Sequence, residues 1–459
     1  MTWHQSWRSG NFLEKAESSE KNTIHSSWSK RIILIWLVGT VIFLPVKIIN
    51  LPFNFELVDG WILMGLPVAI MYLIVRPGQF ISPTYLVPIW LVMVSSLLSS
   101  FSAPSAANSV TTIVKETYLF IWFITTTILL SKFKEKDFRF VMRAWSFVVA
   151  IHGLLMIAQF ISPDVWRISN SLGGNTARVE GYRAAGLFIC DKAGCANKAA
   201  FYQILGLVPI MLAGYSKRTS VILGITALMG MLAAGSMGAV LALSSGLVVA
   251  GLTIAFFSRK LLLVIKYMIQ FALAIMLLGG IFYIVSSMNP NFRDHFERII
   301  VGRYERSSGG RFNLWQRGID VLLENEALLW GVGPENFRVV DAAETDNQLH
   351  NDTLAFLVER GLIGVSGLAL FAGIAVWRAI SIMQIAAKSP NGLRLELIVF
   401  LAFIAVIAVE SLTHQVFRTR ELWLILAVQE TVYFNLKVSP MEIELTPGTI
   451  KVQEVLYDG

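Results

Sequence analysis

The stretch LHNDTLAFLVERGLIG, residues 349–364, opens with His350 and Asn351 and then turns into an apolar run that continues past Phe371. An apolar run of about 18 or more residues is long enough to cross a bilayer as a helix. Comparable runs recur at roughly 32–49, 57–75, 84–101, 117–131, 139–162, 197–214, 219–235, 238–257, 261–286, 353–376, 395–412 and 421–436. Of the 459 residues, 55% are hydrophobic and only 15% charged, against roughly 25% charge in soluble domains. The sequence therefore reads as an all-α membrane protein with about 12 transmembrane helices.

The net charge of +7 records topology rather than a polyanionic partner. Arg76, the 132–139 stretch KFKEKDFR, Lys217-Arg218, Arg259-Lys260, Arg378, Lys388 and Arg394 all fall in alternate connections. By the positive-inside bias those connections face the cytoplasm. No basic helix or aromatic stacking platform speaks for nucleic acid. The polar residues 1–31 precede an apolar run with no small-residue cleavage site, so the start reads as a signal anchor. The chain then divides into a cytoplasmic tail (1–31), nine spans over 32–286 with an outer loop at 163–196, a large outer loop at 287–350, three spans over 351–436 and a cytoplasmic tail (437–459). A connection as long as 287–350 is seldom featureless, and it is expected to be partly helical.

Both outer loops break the charge bias. The first carries Arg167, Arg178, Arg183 and Lys192; the second carries seven arginines and no lysine. Guanidinium offers a rigid, permanently charged, bidentate fork for phosphate. Arg311 extends, by one turn, the helical stripe Leu314, Trp315, Ile319 and Leu322, so it points where the stripe packs. Arg317 falls nearly opposite Trp315 and is expected in solvent. The alternative for Arg311 is a structural ion pair. Arg183, in VEGYRAAGLF, carries weight only if it converges with Arg311.

Asn351 or Asp352 is expected to cap the helix that follows. His350 then lies beside a helix N-terminus, where the dipole and nearby arginines disfavour imidazolium. A neutral histidine is a competent proton acceptor; the alternative is a polar anchor at the water interface. Arg360, with Glu359 beside it, sits deeper in the same helix, where charge usually faces a partner or a cavity. Gly361 and Gly364 admit a neighbouring helix. Glu410 and His414, near Arg418 and Arg420, are candidates to line the same outer cavity, while His152, Lys266 and Glu430 read as single scattered groups. Glu344 and Asp346 are too slight a pattern to assign a metal, and no cofactor is expected. Cys190 and Cys195 form a local disulfide if their loop meets an oxidising compartment; otherwise they are free thiols.

The spacing His350-Asn351, nine residues, Gly361, two residues, Gly364 resembles the signature of the O-antigen ligase and Wzy-type polymerase superfamily. GRFNLWQRGIDVLLENEALLWGVGPENF resembles that family's Arg–Trp–Gly-x-Gly outer loop, and YRAAGLF its earlier loop arginine. Val365 stands where the family often has Gly, Thr or Tyr, and Ser236-Met237-Gly238 where it often has Ser-Arg-Gly. The resemblance implies a GT-C-like, metal-independent glycosyltransferase of the bacterial inner membrane. Its donor would be a glycan on undecaprenyl diphosphate and its acceptor, on the periplasmic side, lipid A–core or a growing glycan, with membrane lipid and polysaccharide-assembly proteins as surroundings. Arg183, Arg311 and Arg360 would hold the diphosphate and His350 would be the base. Asn351, Trp315, Glu410 and His414 would support them. A ligase and a repeat-unit polymerase share this chemistry. A transporter or flippase would instead show paired broken helices or an internal repeat, and neither is evident.

Overall fold

The computed structural model describes residues 26–46, 56–75, 83–162, 164–165, 184–188, 194–258, 311–341, 349–388 and 395–438, with single positions at 266, 269, 280 and 287. Arg183, Cys190, the Cys195 side chain, Glu344, Asp346 and most of the expected span 261–286 lie outside the described residues.

Helices occupy the remaining apolar runs. They are α1 (Ser26–Phe43), α2 (Leu57–Val75), α3 (Leu86–Ser100), α4 (Ala106–Ser131), α5 (Glu135–Ile161), α6 (Gly194–Leu205), α7 (Leu207–Leu212), α8 (Lys217–Ala233) and α9 (Met237–Ser258). There follow α10 (311–324), α11 (Asp352–Lys388), α12 (Val399–Ser411) and α13 (Arg420–Val438). No strand occurs among the described residues. Among the described residues, five helices are long and apolar enough to cross a membrane: α2, α4, α5, α9 and α11.

Several boundaries differ from the apolar runs. The fourth run begins at 117, yet α4 starts at Ala106, because Ser105 caps it by accepting from the Asn108 N–H at 3.4 Å. The run 197–214 is divided at Gly206 into α6 and α7. Helix α11 continues to Lys388, well beyond its apolar core.

The tightest helix pairs are α9 with α12, α11 with α3, α5 with α8 and α13 with α4. Close approach at α11–α3 needs the missing side chain of Gly367, where a Cβ would lie 3.0 Å from Val92 Cγ2 and 3.1 Å from Leu91 Cβ. An aromatic knot fixes the middle of the bundle. Trp423 is fully enclosed, with ring centroids 5.0 Å from Phe120, 5.1 Å from Phe371 and 5.1 Å from Phe417, and its indole N–H donates to the Phe417 carbonyl at 2.8 Å.

Charges inside the bundle are paired, as a low-dielectric setting requires. Glu430 is not a scattered group: Arg378 Nε donates to it at 2.7 Å and the same guanidinium reaches Thr84 at 3.1 Å. Arg420 is held by Asp59 at 2.9 and 2.5 Å and by Glu56 at 2.9 Å.

Candidate active site

The site begins at the start of α11. Asn351 is the cap: its Oδ1 accepts from the Leu354 N–H at 3.0 Å. Asp352 does something else. Its Oδ2 accepts from the backbone N–H groups of Val416 (2.8 Å) and Phe417 (3.1 Å), which draws the α12–α13 connection over the α11 N-terminus. His350, in the left-handed region at φ 49°, is thereby placed against His414, their rings edge to face with centroids 6.2 Å apart.

His414 is held from two sides. Its Nδ1 lies 2.7 Å from Glu410 Oε1 and its Nε2 lies 2.8 Å from Asn197 Nδ2 on α6. An amide nitrogen donates, so Nε2 is the acceptor and Nδ1 carries the proton toward Glu410. Glu410 is 1% exposed, and its Oε2 has no hydrogen-bond partner among the described residues. A Cβ on Gly238, at the start of α9, would stand 3.6 Å from both Glu410 Oε2 and His414 Cε1. Four helices, α6, α9, α11 and α12, thus end at one polar centre.

Arg311, the first described residue of α10, couples to that centre electrostatically. Burial lowers its pKa, and the negative charge of Glu410 opposes the shift. His350 is pulled down to about 4, first by burial, then by electrostatic interaction with His414 and with the cations Arg311, Arg338 and Lys198. The imidazole is therefore neutral at pH 7, with burial a larger cause than the charges the sequence pointed to. Trp315 shares the helix with Arg311, and its indole N–H is buried without a partner among the described residues.

The α10 stripe differs from expectation. Leu314, Val321 and Leu322 are buried, but Ile319 is 47% exposed. Gly318 lies on the packed face, where a Cβ would meet Leu349 Cδ2 at 2.7 Å. Arg317 is partly solvated, as expected, and also forms a two-point ion pair with Asp341, one contact being Nε to Oδ1 at 3.1 Å.

Arg360 also departs from its expected role. It is 0% exposed, with Nη2 2.5 Å from Glu116 Oε1, Nε 2.8 Å from Ser96 Oγ and Cζ 4.2 Å over the Phe356 ring. A guanidinium so enclosed presents no surface to a ligand; it braces α11 against α3 and α4. Beside it, Arg418 gathers Glu116 (3.1 Å), Glu359 (3.1 Å) and Glu335. Burial alone would weaken the charge on Arg418, but Glu335, Glu359 and Glu116 outweigh it and raise its pKa. Burial likewise opposes ionisation of Glu335, and Arg418 and Arg338 overcome it and hold its pKa low.

This network anchors the segment 327–340 to the bundle. Gly361 breaks α11 at φ 65°, ψ −165°, a conformation reserved for glycine. The segment fills the break: the Leu362 N–H donates to Leu328 O, Val332 N–H to Val358 O and Gly333 N–H to Glu359 O, each at 2.9 Å. Gly361 thus admits a loop rather than a helix, while Gly364 faces α3, a Cβ there lying 3.2 Å from Ser95 Oγ. Asn336 completes the clasp, accepting from the Ser105 N–H at 2.7 Å and donating to Ser109 Oγ and Pro334 O at 2.9 Å. Asn197, Glu116, Glu335 and Asn336 are invisible to motif reading, since each is a single polar residue whose partners are remote in sequence.

These features define a helical membrane protein with a buried histidine–carboxylate centre and the Arg311 end of α10 beside it. The family model described as O-antigen ligase matches residues 221–369, a stretch that includes Gly238, Arg311, His350 and Gly361. The match covers about a third of the chain and is a likeness to that family over this stretch. No curated protein matches the chain. Glu410 and His414 lie beyond the matched stretch.

Proposed function

We propose that this protein is an inner-membrane glycosyltransferase of the O-antigen ligase type. It moves a glycan from undecaprenyl diphosphate to lipid A–core on the periplasmic side, within a twelve-span, GT-C-like bundle. The observation that carries this reading is the meeting of neutral His350 with Arg311 and the Glu410–His414 pair, inside a chain that matches the O-antigen ligase family.

The acceptor hydroxyl attacks the anomeric carbon, and the lipid diphosphate departs from the opposite face, so the configuration inverts. The diphosphate is a good leaving group, and its developing charge needs fixed cations rather than an acid. Arg311 supplies one such cation and Arg183 a second. The unpartnered Trp315 indole N–H is free to donate to a donor-sugar hydroxyl or a phosphate oxygen. Arg360 is left out of this set, because its guanidinium is enclosed by Glu116 and Ser96.

His350 takes the acceptor proton. At about 4 its pKa is low for a base. The bound diphosphate offsets Arg311 and its neighbours and so raises the histidine toward the working range. Glu410 fixes the tautomer of His414, which supports the His350 ring edge-on.

Surface glycan from a deletion strain carrying the plasmid-borne gene tests the assignment. Wild type restores polymer on the lipid A–core, and Arg311→Ala does not, although it inserts in the membrane. Full restoration by Arg311→Ala refutes the diphosphate site. A deletion strain that keeps a single repeat unit on its core assigns the polymerase reaction instead.

A further inference from the structure

Helix α10 has two apolar faces, and only one packs on other described residues. Leu314, Gly318, Val321 and Leu322 pack on the start of α11. About 100° of rotation per residue puts Phe312, Ile319 and Leu323 on one separate stripe. Phe312 and Leu323 are each 66% exposed and Ile319 47%. The chain then makes a turn whose Leu328, Leu329 and Trp330 are exposed as well. Six large apolar side chains in one helix and its following turn are more than scattered surface residues.

Their position relative to α11 says what meets them. Leu328 O accepts from the Leu362 N–H at 2.9 Å, so the turn is pinned at the Gly361 break. Leu362 is itself exposed on a helix apolar enough to cross a membrane. The lipid-facing side of α11 therefore runs directly into the turn. From Gly361 to Lys388, α11 measures about 42 Å at 1.5 Å per residue, close to the ~40–45 Å of a bilayer with its headgroups. The break, and the turn docked in it, stand at headgroup depth, where tryptophan is favoured.

We propose that the outer stripe of α10 and the 328–330 turn lie in the membrane interface on the His350 side, with Phe312, Ile319, Leu323 and Trp330 in the upper acyl region. Asp320 and Glu324, roughly 80–120° round the helix from the stripe, stay in water. The contact is apolar rather than electrostatic. Since Arg311 lies on the same helix, the contact fixes the height of its guanidinium at the level where a lipid-borne anion sits. That last consequence rests on the proposed glycosyltransferase reaction; the membrane contact does not.

Full-length protein is reconstituted in phosphatidylethanolamine vesicles containing a phospholipid with a diazirine high on its acyl chain, and photo-adducts are mapped by mass spectrometry. Adducts are expected at Phe312, Ile319, Leu323 and 328–330, as on the spanning residue Leu370. The Ile319→Asp, Leu323→Asp double variant is expected to lose adducts on α10 at least tenfold while Leu370 keeps its own. Adding phosphatidylglycerol is expected to leave the yield unchanged. Strong hydroxyl-radical labelling of the stripe without lipid adducts overturns the proposal. So does protection from both reagents, which assigns the stripe to a protein contact, and so does a requirement for anionic lipid. Loss of transfer with adducts intact refutes the proposed reaction and leaves the contact standing.

Discussion

Asp352 offers the sharpest test of how the site is assembled. Its carboxylate is 5% exposed and accepts two backbone N–H groups, from Val416 at 2.8 Å and Phe417 at 3.1 Å. Both donors sit in the connection that carries His414. Asp352→Ala leaves two buried N–H groups without acceptors, at about 1–3 kcal/mol each, so a loss of roughly 2–6 kcal/mol is expected. Asp352→Asn keeps an acceptor oxygen in place and exchanges charge-assisted bonds for neutral ones, at about 1 kcal/mol per bond. Its cost is therefore about 2 kcal/mol, reduced by the charge no longer buried. Unfolding in mixed micelles titrated with sodium dodecyl sulfate, followed by tryptophan fluorescence, reads both. Glycan transfer should fall in the order wild type, Asn, Ala, because His414 drifts from His350 as the connection loosens. An Ala variant within about 0.5 kcal/mol of wild type, the range of an inconsequential surface change, would refute the reasoning, as would an Asn variant less stable than Ala.

Gly361→Ala forces a side chain into a glycine-only conformation, against the Leu329 and Trp330 backbone; a loss of about 1–3 kcal/mol from strain alone should appear as a lower unfolding midpoint in the same micelle assay. His350 has a folded pKa of about 4 against an ordinary 6.5, so the unfolded chain binds the extra proton. The stability linked to this group is complete above about pH 6.5 and is lost as pH falls toward 4; His350→Gln should flatten that part of a stability–pH profile, and an unchanged profile would contradict the burial. Arg311→Lys keeps the charge but loses the bidentate fork, so transfer should recover only weakly over Arg311→Ala, whereas wild-type turnover in the Lys variant would remove the fork from the argument.

The helices were legible because apolar runs of membrane length have one structural solution. Where polarity and helix part company, the sequence misled. The first turns of α4, AANSVTTIVKE, are polar enough to read as loop, yet Ser105 caps them and Asn336 clasps them from far along the chain. The Asn351 cap was readable because capping is local. Arg360 was not, because helical periodicity gives the direction of a side chain and not what waits there; Glu116 is 244 residues away. The ion pair of Arg317 is unreadable for the same reason, its partner Asp341 being outside its own helix. Periodicity puts Ile319 in the packed stripe because a second apolar face on one helix cannot be told from the first by periodicity alone.

The central claim is that His350 removes the acceptor proton beside an arginine-bound diphosphate. Single-turnover transfer in proteoliposomes, from a purified lipid-diphosphate-linked glycan to an acceptor glycolipid, compares wild type with His350→Ala after both are shown to bind donor equally. The account predicts unchanged donor binding with transfer lower by about 10²-fold or more, the range of general-base catalysis. Transfer by His350→Ala at the wild-type rate would contradict it.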